Sequence, residues 1–438
     1  MGSLKRQAAI GCPTVRRKRV PARRPPDRGR PARSFFSRFT RAQTGTKKSG
    51  RDARGPRGVG RFAAGAPSSA GNTIPSQKIR LSLGFCDMTS SAARLRQARR
   101  VRVEGDYRVT NHSIIETCAI ATAQVSAIGF GCMSLSNVYG ASDDRAGVEL
   151  IREAIDRGVT LLDTSDMYGW GHNETLVAQA IAGRRAQVFV ATKFGNLGGR
   201  GGKIADGRPE YVISACDASL KRLGTNVIDL YYQHRVDPTV PIEETVGAMA
   251  RLVESGKVRF LGLSEARPET IRRANSVHQI AAVQNEYSLL YRVEAEETLR
   301  TTRELGIAFV AYAPLGRGLL TAKAEETASL AETDTRRRHP RFAAGNLAHN
   351  LDLVHRIETI AQRKNCTPGQ LALAWLLAQG RDIIPIPGTK RKERLLENLG
   401  ALRVDLSAAD IAEISAAIPP GSAAGTRYPE AQMKGVFL

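Results

Sequence analysis

Short apolar runs, rich in β-branched and aromatic residues, recur along the middle of this 438-residue chain and are separated by stretches of helical character. VTLL precedes Asp163, VFVAT precedes Lys193 and VIDLYYQ precedes His234. Runs of this length and composition read as buried strands. Strand alternating with helix implies a parallel sheet, and eight such units close into an α/β fold, the (β/α)8 or TIM barrel, whose strand carboxyl ends converge on one face. Side chains roughly seventy positions apart can therefore meet in one pocket.

Strands are expected at about 126–131, ending at Asp163, and at 188–193, 227–233, 258–264, 281–287, 307–314 and 382–387. Helices are expected from Asp143 or Asp144 to Arg157, at 173–182, from RPEY at 208–211 to Leu223, from Pro241 to Ser255, across 294–305 and around 350–379. Gly158 and Gly256 supply C-terminal stops. A last helical stretch near 407–418 should pack outside the barrel.

A barrel of this kind takes about 250 residues, so part of the chain is surplus. Charge shows which part. Residues 1–100 hold 25 Lys and Arg against three acids (Asp27, Asp52, Asp87), about +22 of the total +23, and the remainder is nearly neutral with 40 basic and 39 acidic residues. RRKRVPARRPPDRGRPARS and GRDARGPRGVGRFAAGAPSSAG lack apolar periodicity and abound in Pro, Gly, Ser and Arg. They read as disorder. The expected division is a disordered Arg-rich extension over 1–115 and a barrel over 116–438. The extension is open to three readings: a tail for nucleic acid or anionic surfaces, a transit peptide, or a stretch without function. Its aromatics are few, with Phe35, Phe36 and Phe39 the only cluster, so any RNA binding would be nonspecific, through phosphates. MGSLKR lacks Ser or Thr at position 6, against myristoylation.

No run approaches the roughly 20 apolar residues that cross a bilayer, and no secretory signal shows the usual order. A soluble, cytoplasmic protein is expected. Six cysteines (Cys12, Cys86, Cys118, Cys132, Cys216, Cys366) lie far apart without CxxC spacing, which points to free thiols in a reducing compartment rather than zinc or disulfides. Gly129 and Gly131 fit the start of GxGxxG, but Ser134 stands in the third place. GNLGGRGGK at 195–203 fails the Walker pattern at Leu197 and Ile204 and reads as a mobile loop over the pocket.

LLDTSDMYG, VATKFG, DLYYQHR, VQNEYS, AYAPLGRG and PIPGTKRKERLLEN, in that order, resemble the aldo-keto reductases over about residues 124–430. The likeness is to the bacterial and plant branch, itself similar to the potassium-channel β-subunit-like reductases. The resemblance implies a barrel that binds NADP(H) without a Rossmann motif and reduces aldehydes or ketones to alcohols. The alternative it leaves open is an NADP(H)-sensing auxiliary subunit with slow turnover.

Carbonyl reduction needs a hydride for carbon and a proton for oxygen. Tyr168 fits as the acid. A nearby ammonium stabilises the phenolate, and at ~4 Å with an effective dielectric of about 20 such a pair is worth roughly 4 kcal/mol, so Lys193 is expected to lower the tyrosine's pKa. Asp163 would keep Lys193 charged and aimed, and His234 would donate a hydrogen bond to the substrate carbonyl. The resemblance assigns the same four roles. Taken singly, each residue is equally a strand-end cap, a half-buried aromatic, a surface charge or a satisfied histidine. A metal site of Asp163, Asp166, His172 and His234 is conceivable, but no His pair has ligand spacing and none is expected.

The resemblance further implies that Ser264 and Gln284 hold the nicotinamide carboxamide and that Tyr312 stacks on its ring, with Ala313 where a Ser is common. Leu315, Gly316, Arg317 and Gly318 would lie along the pyrophosphate, with Arg317 neutralising phosphate. Gly388, Thr389, Lys390 and Arg394 would cradle the 2′-phosphate of NADP, with Glu397 and Asn398 near the adenine; Arg391 and Lys392 read equally as a solvated charge run. Trp170, Cys132 and Met133 are expected to line the substrate pocket. The hairpin that usually plugs such a barrel matches only from about Gln124, so an altered plug is expected. Loops 195–208 and 319–350 set the substrate, whose identity the sequence leaves open.

Overall fold

The computed structural model describes residues 115–321 and 329–438, all within the compact unit spanning Arg102–Leu438. The Arg-rich extension expected over 1–115 lies outside the described residues save its last position.

The plug is present, contrary to the expectation that it is altered. Strands β1 (Thr117–Ile120) and β2 (Ala123–Ser126) pair antiparallel, with Ala121 in the left-handed region (φ 49) at the turn between them. TCAIATAQ carries no Gly or Asn to announce such a turn, which is why the hairpin was illegible. Alternation does the rest. Cys118 and Ile120 are buried while Thr117 and Ala119 are exposed, and with Val125 they pack against Leu161, Phe189, Leu230, Val310 and Ile384 from the sheet.

Eight parallel strands follow in chain order: β3 (Phe130–Gly131), β4 (Leu161–Asp163), β5 (Phe189–Phe194), β6 (Ile228–Gln233), β7 (Val258–Ser264), β8 (Ile280–Glu286), β9 (Ala308–Tyr312) and β10 (Ile383–Pro385). Each pairs with its sequence neighbour, as right-handed βαβ units do. The two edges meet through backbone: Gly129 N donates to Pro385 O (3.0 Å) and Gly131 N to Pro387 O (3.3 Å). Only glycines permit this approach. A Cβ on Gly131 would stand 2.7 Å from Ile386 O, and one on Gly388 would stand 2.6 Å from Gly131 O.

Every residue of β6 is buried, because one face fills the barrel and the other lies under helices. Most helices fall where the apolar periodicity places them, including Asp144–Asp156, Pro209–Leu223 and Ile242–Glu254, while Pro268–Val277 lies where none was expected. Gly224 (φ 62) ends the second with carbonyls of its last turn bonded to the cap amide, and Thr367 with Gln370 forms a reciprocal cap for Pro368–Ala378. The first barrel strand is shorter than expected, since 126–129 complete the hairpin and its exit. The four described cysteines are free, and no helix among the described residues is long and apolar enough to cross a membrane.

Candidate active site

The carboxyl ends of β4, β5 and β6 bring Asp163, Lys193 and His234 together, and the turn after β4 returns Tyr168 over them. Lys193 is fully buried; its Nζ donates to Asp163 Oδ1 (2.5 Å) and Thr164 O (2.8 Å), and lies 3.5 Å from the Tyr168 hydroxyl. Asp163 Oδ2 accepts from Gln284 Nε2 (2.8 Å), so both carboxylate oxygens are engaged. Tyr168 and His234 meet edge to face with centroids 5.8 Å apart. All four side chains named from the sequence share one site.

The electrostatics correct one expectation. Burial pushes the Tyr168 phenol well above its ordinary range, and the charge on Asp163 adds to that. Lys193 does not outweigh this, because its ammonium is committed to Asp163 and is itself pushed down by burial. The phenol therefore holds its proton at neutral pH. His234 is driven well below the usual histidine range by burial, then by Arg235 and Lys193, and is neutral. Its Nδ1 lies 3.0 Å from Ser165 Oγ, closer than that hydroxyl's contacts to Asp166 Oδ1 (3.2 Å) and Lys193 O (3.5 Å). A hydroxyl proton given to Nδ1 leaves Nε2 as the ring's N–H donor.

The other expected positions spread around the same face. Ser264 ends β7 and accepts from Arg235 Nη1 at 3.4 Å; Gln284 is on β8; Tyr312 ends β9. Leu315 leads into Gly316 (φ 58), Arg317 (φ 59) and Gly318 (φ 102), a turn in which the non-glycine Arg317 also takes the left-handed form. Arg317 is not open to a phosphate as expected: it is buried with Nη2 2.9 Å from Glu286 Oε2, and Arg341 holds the other oxygen at 2.9 Å. Burial opposes ionisation of Glu286, yet these two cations outweigh it and hold the carboxyl at about 2.

Gly388 and Thr389 lead to Lys390, whose Nζ donates to the carbonyls of Tyr139 (2.7 Å) and Ala141 (2.9 Å). Arg394 Nη1 pairs with Glu397 Oε2 at 2.5 Å, and Asn398 is buried on the inner face of the same helix, Lys392–Gly400, whose first turn has no side-chain cap. Trp170 is 46% exposed, with the Arg200 guanidinium 3.2 Å over its ring. That contact ties the turn after Tyr168 to loop 195–203, itself pinched by the Asn196–Ala205 bridge. Met133 is half-buried. Cys132 is fully buried, its thiol 3.8 Å from Phe130 O and pushed up by burial, so it lies beneath the tetrad and does not line an open wall.

Sequence reasoning missed a second layer. Arg235, Glu265, Glu286, Arg341, Arg427 and Tyr428 are at least partly buried around the mouth, and Glu265 takes Arg427 through two 2.8 Å bonds. Glu265 itself has φ 57, a strained setting that costs on the order of 1 kcal/mol and marks the residue. Among the described residues Arg235 has no carboxylate within ion-pair distance, so four guanidinium groups face two carboxylates. The one available signal was Arg235 directly after His234.

An eight-stranded parallel barrel with Asp, Tyr, Lys and His at its mouth defines a class of barrel oxidoreductases. The chain belongs to the aldo/keto reductase family, whose profile matches residues 127–419. It is similar to probable aldo-keto reductase 1 of Glycine max (48% identity, 70% of this chain, 89% of the relative). It is also similar to aldo-keto reductase yakc of Schizosaccharomyces pombe, named for NADP(+) (46%, 74% and 97%). Among solved structures it resembles the glycerol dehydrogenase AKR11B4 of Gluconobacter oxydans (27% identity, TM-score 0.63, 70% of this chain, 96% of that one). An aldo/keto reductase from Klebsiella pneumoniae, solved with NADP and acetate, matches at 27% and TM-score 0.56 over 70% and 96%.

Proposed function

We propose that this chain is an NADPH-dependent reductase of aldehydes or ketones to alcohols, with Tyr168 giving the proton to the carbonyl oxygen. The observation that carries the reading is Lys193 Nζ set between Asp163 Oδ1 at 2.5 Å and the Tyr168 hydroxyl at 3.5 Å. The relative named for NADP(+) and the neighbour solved with NADP support the choice of cofactor.

The residues present suit such a group. Buried guanidinium groups outnumber carboxylates at the mouth, and an anionic ligand would balance them. The uncapped start of helix Lys392–Gly400, with Lys390, Arg391 and Arg394 beside it, suits the extra phosphate of NADPH. Ser264 and Gln284 would hold the carboxamide, Tyr312 would back the nicotinamide ring, and 315–318 would run along the pyrophosphate. Gly388, Thr389, Glu397 and Asn398 would complete the adenosine end. NADPH, when bound, supplies the hydride to the carbonyl carbon.

The protein's own part follows from the geometry. His234 Nε2–H donates to the carbonyl oxygen and orients it. Tyr168, kept protonated by burial, passes its proton to that oxygen as negative charge develops there, and the Lys193 ammonium steadies the phenolate left behind. Asp163 keeps that ammonium charged and pointed. Tyr168→Phe deletes only the proton donor, so turnover should fall at least a hundredfold while NADPH affinity, read by fluorescence titration, stays within a few-fold. Unchanged turnover would end this reading.

A further inference from the structure

The segment 426–438 packs along the barrel mouth, and several of its contacts converge on Tyr312. The Tyr312 hydroxyl donates to Glu265 Oε1 (2.8 Å), lies 3.0 Å from the Tyr428 hydroxyl and accepts from Arg427 Nη1 at 3.3 Å. Glu265 is in turn fastened from both sides. Its carboxylate takes both Arg427 nitrogens and the Glu286 amide (3.2 Å), and its backbone meets the same segment through Leu438 N (3.0 Å), with Arg267 N returning to Leu438 O (2.7 Å). The Arg317 guanidinium stands 4.8 Å over the Tyr428 ring, and His339 Nδ1 donates to Arg427 O at 2.8 Å. The twelve residues from Arg427 to Leu438 are thus strapped to a strained position one step beyond Ser264.

We propose that Glu265, Arg427 and Tyr428 are positioning residues: they tether the Tyr312 hydroxyl and so fix the tilt of the ring on which the nicotinamide would stack. The inference rests on the reductase reading. Physically, an aromatic at a strand end is held by its two side-chain torsions, and a tethered hydroxyl on the ring axis fixes the direction of that axis and so the tilt of the ring. Three partners converge on that handle, including a charged pair that is nine-tenths buried, Arg427 at 3% and Glu265 at 1% exposure. Misplacing a reacting group by about 1 Å can reduce rate a hundredfold, so a tether remote from the chemistry has a kinetic purpose. Burial, then the Glu265 charge, also keeps Tyr312 a phenol and hence a donor.

The test is a double-mutant cycle on the full chain with Tyr428→Phe and Tyr312→Phe. Tyr428→Phe keeps the ring under Arg317 and loses one hydrogen bond; kcat/KM should fall about fivefold. The deuterium isotope effect from NADPH labelled at the transferred position should rise, and the melting temperature should stay within about 2 °C. In the Tyr312→Phe background the same change should have no further effect. Additive losses, or a Tyr428→Phe enzyme equal to wild type, would overturn the tether. If wild type reduces no carbonyl, the reductase reading falls alone, because the cycle read on the NADPH dissociation constant still decides. Loss that vanishes without the Tyr312 hydroxyl supports the tether, and additivity refutes it.

Discussion

Replacing Lys193 with Met keeps the length of the side chain and removes the charge on which the site is organised. Asp163 is 3% exposed and would keep only the Gln284 hydrogen bond, while the Thr164 carbonyl would lose its 2.8 Å donor. Breaking a buried ion pair from one side costs about 3–5 kcal/mol, and an orphaned carbonyl adds about 1. Against a total stability of roughly 5–15 kcal/mol, that is a large fraction. The loss should depend on pH, and its sign is determined. Without its cation the buried carboxylate charge is left unpaired, a penalty that taking up a proton relieves, so the penalty is absent at low pH and grows as pH rises toward neutrality. Urea unfolding of wild type and Lys193→Met at pH 5.5 and pH 8 measures both effects. The gap should be widest at pH 8, and adding Asp163→Asn should recover at least about 2 kcal/mol there. Turnover should fall in both variants. A destabilisation under about 1 kcal/mol, or one independent of pH, would show that the pair is not the buried charge couple described above.

Asp166 offers a separate pH test, since burial and then Glu174 raise its carboxyl to about 7. Between pH 4 and 7 the folded state holds a proton that the unfolded state has released, so stability declines as pH rises, by roughly 1 kcal/mol per unit. Asp166→Asn should flatten that decline in denaturant midpoints; an unchanged slope would assign it elsewhere. Gly388→Ala should lose about 1–3 kcal/mol in urea, because its Cβ meets backbone at 2.6 Å and backbone cannot swing aside. Equal stability would mean the barrel edges part easily. Lys390→Glu with Arg394→Glu should move the ratio of kcat/KM for NADPH over NADH at least about tenfold toward NADH by repelling the 2′-phosphate. A constant ratio would remove both from the phosphate site.

The strands and helices were legible because burial on two faces writes continuous apolar runs, and because Gly158, Gly224 and Gly256 punctuate the helices. The tetrad was legible because each member ends or follows such a run. Partnerships were not. Arg317 in a Gly-Arg-Gly turn reads as a phosphate ligand, yet Glu286, thirty-one positions upstream, claims it. Glu265 and Arg427 lie 162 positions apart, and no spacing rule links them. The direction of the Tyr168 pKa was misread for the same reason: the strength of a cation depends on what else it touches, and Thr164 O and Asp163 are set by the fold.

Barrel closure has a consequence for how the chain reaches its native state. The bonds between Gly129 and Pro385 and between Gly131 and Pro387 join positions some 250 apart, whereas most neighbouring strands are about 30 apart and β9 and β10 some 75. Loop-closure entropy makes that junction about 2 kcal/mol less favourable to form early. A nascent chain cannot form it until residue 387 has been made, so the sheet should persist as an open ribbon with two bare edges. Once the last strand has joined and until the seam closes, those edges are β3 and β10, only two and three residues long, and a partner strand would find little backbone on either to pair with. Brevity at the seam thus guards the folding intermediate against aggregation.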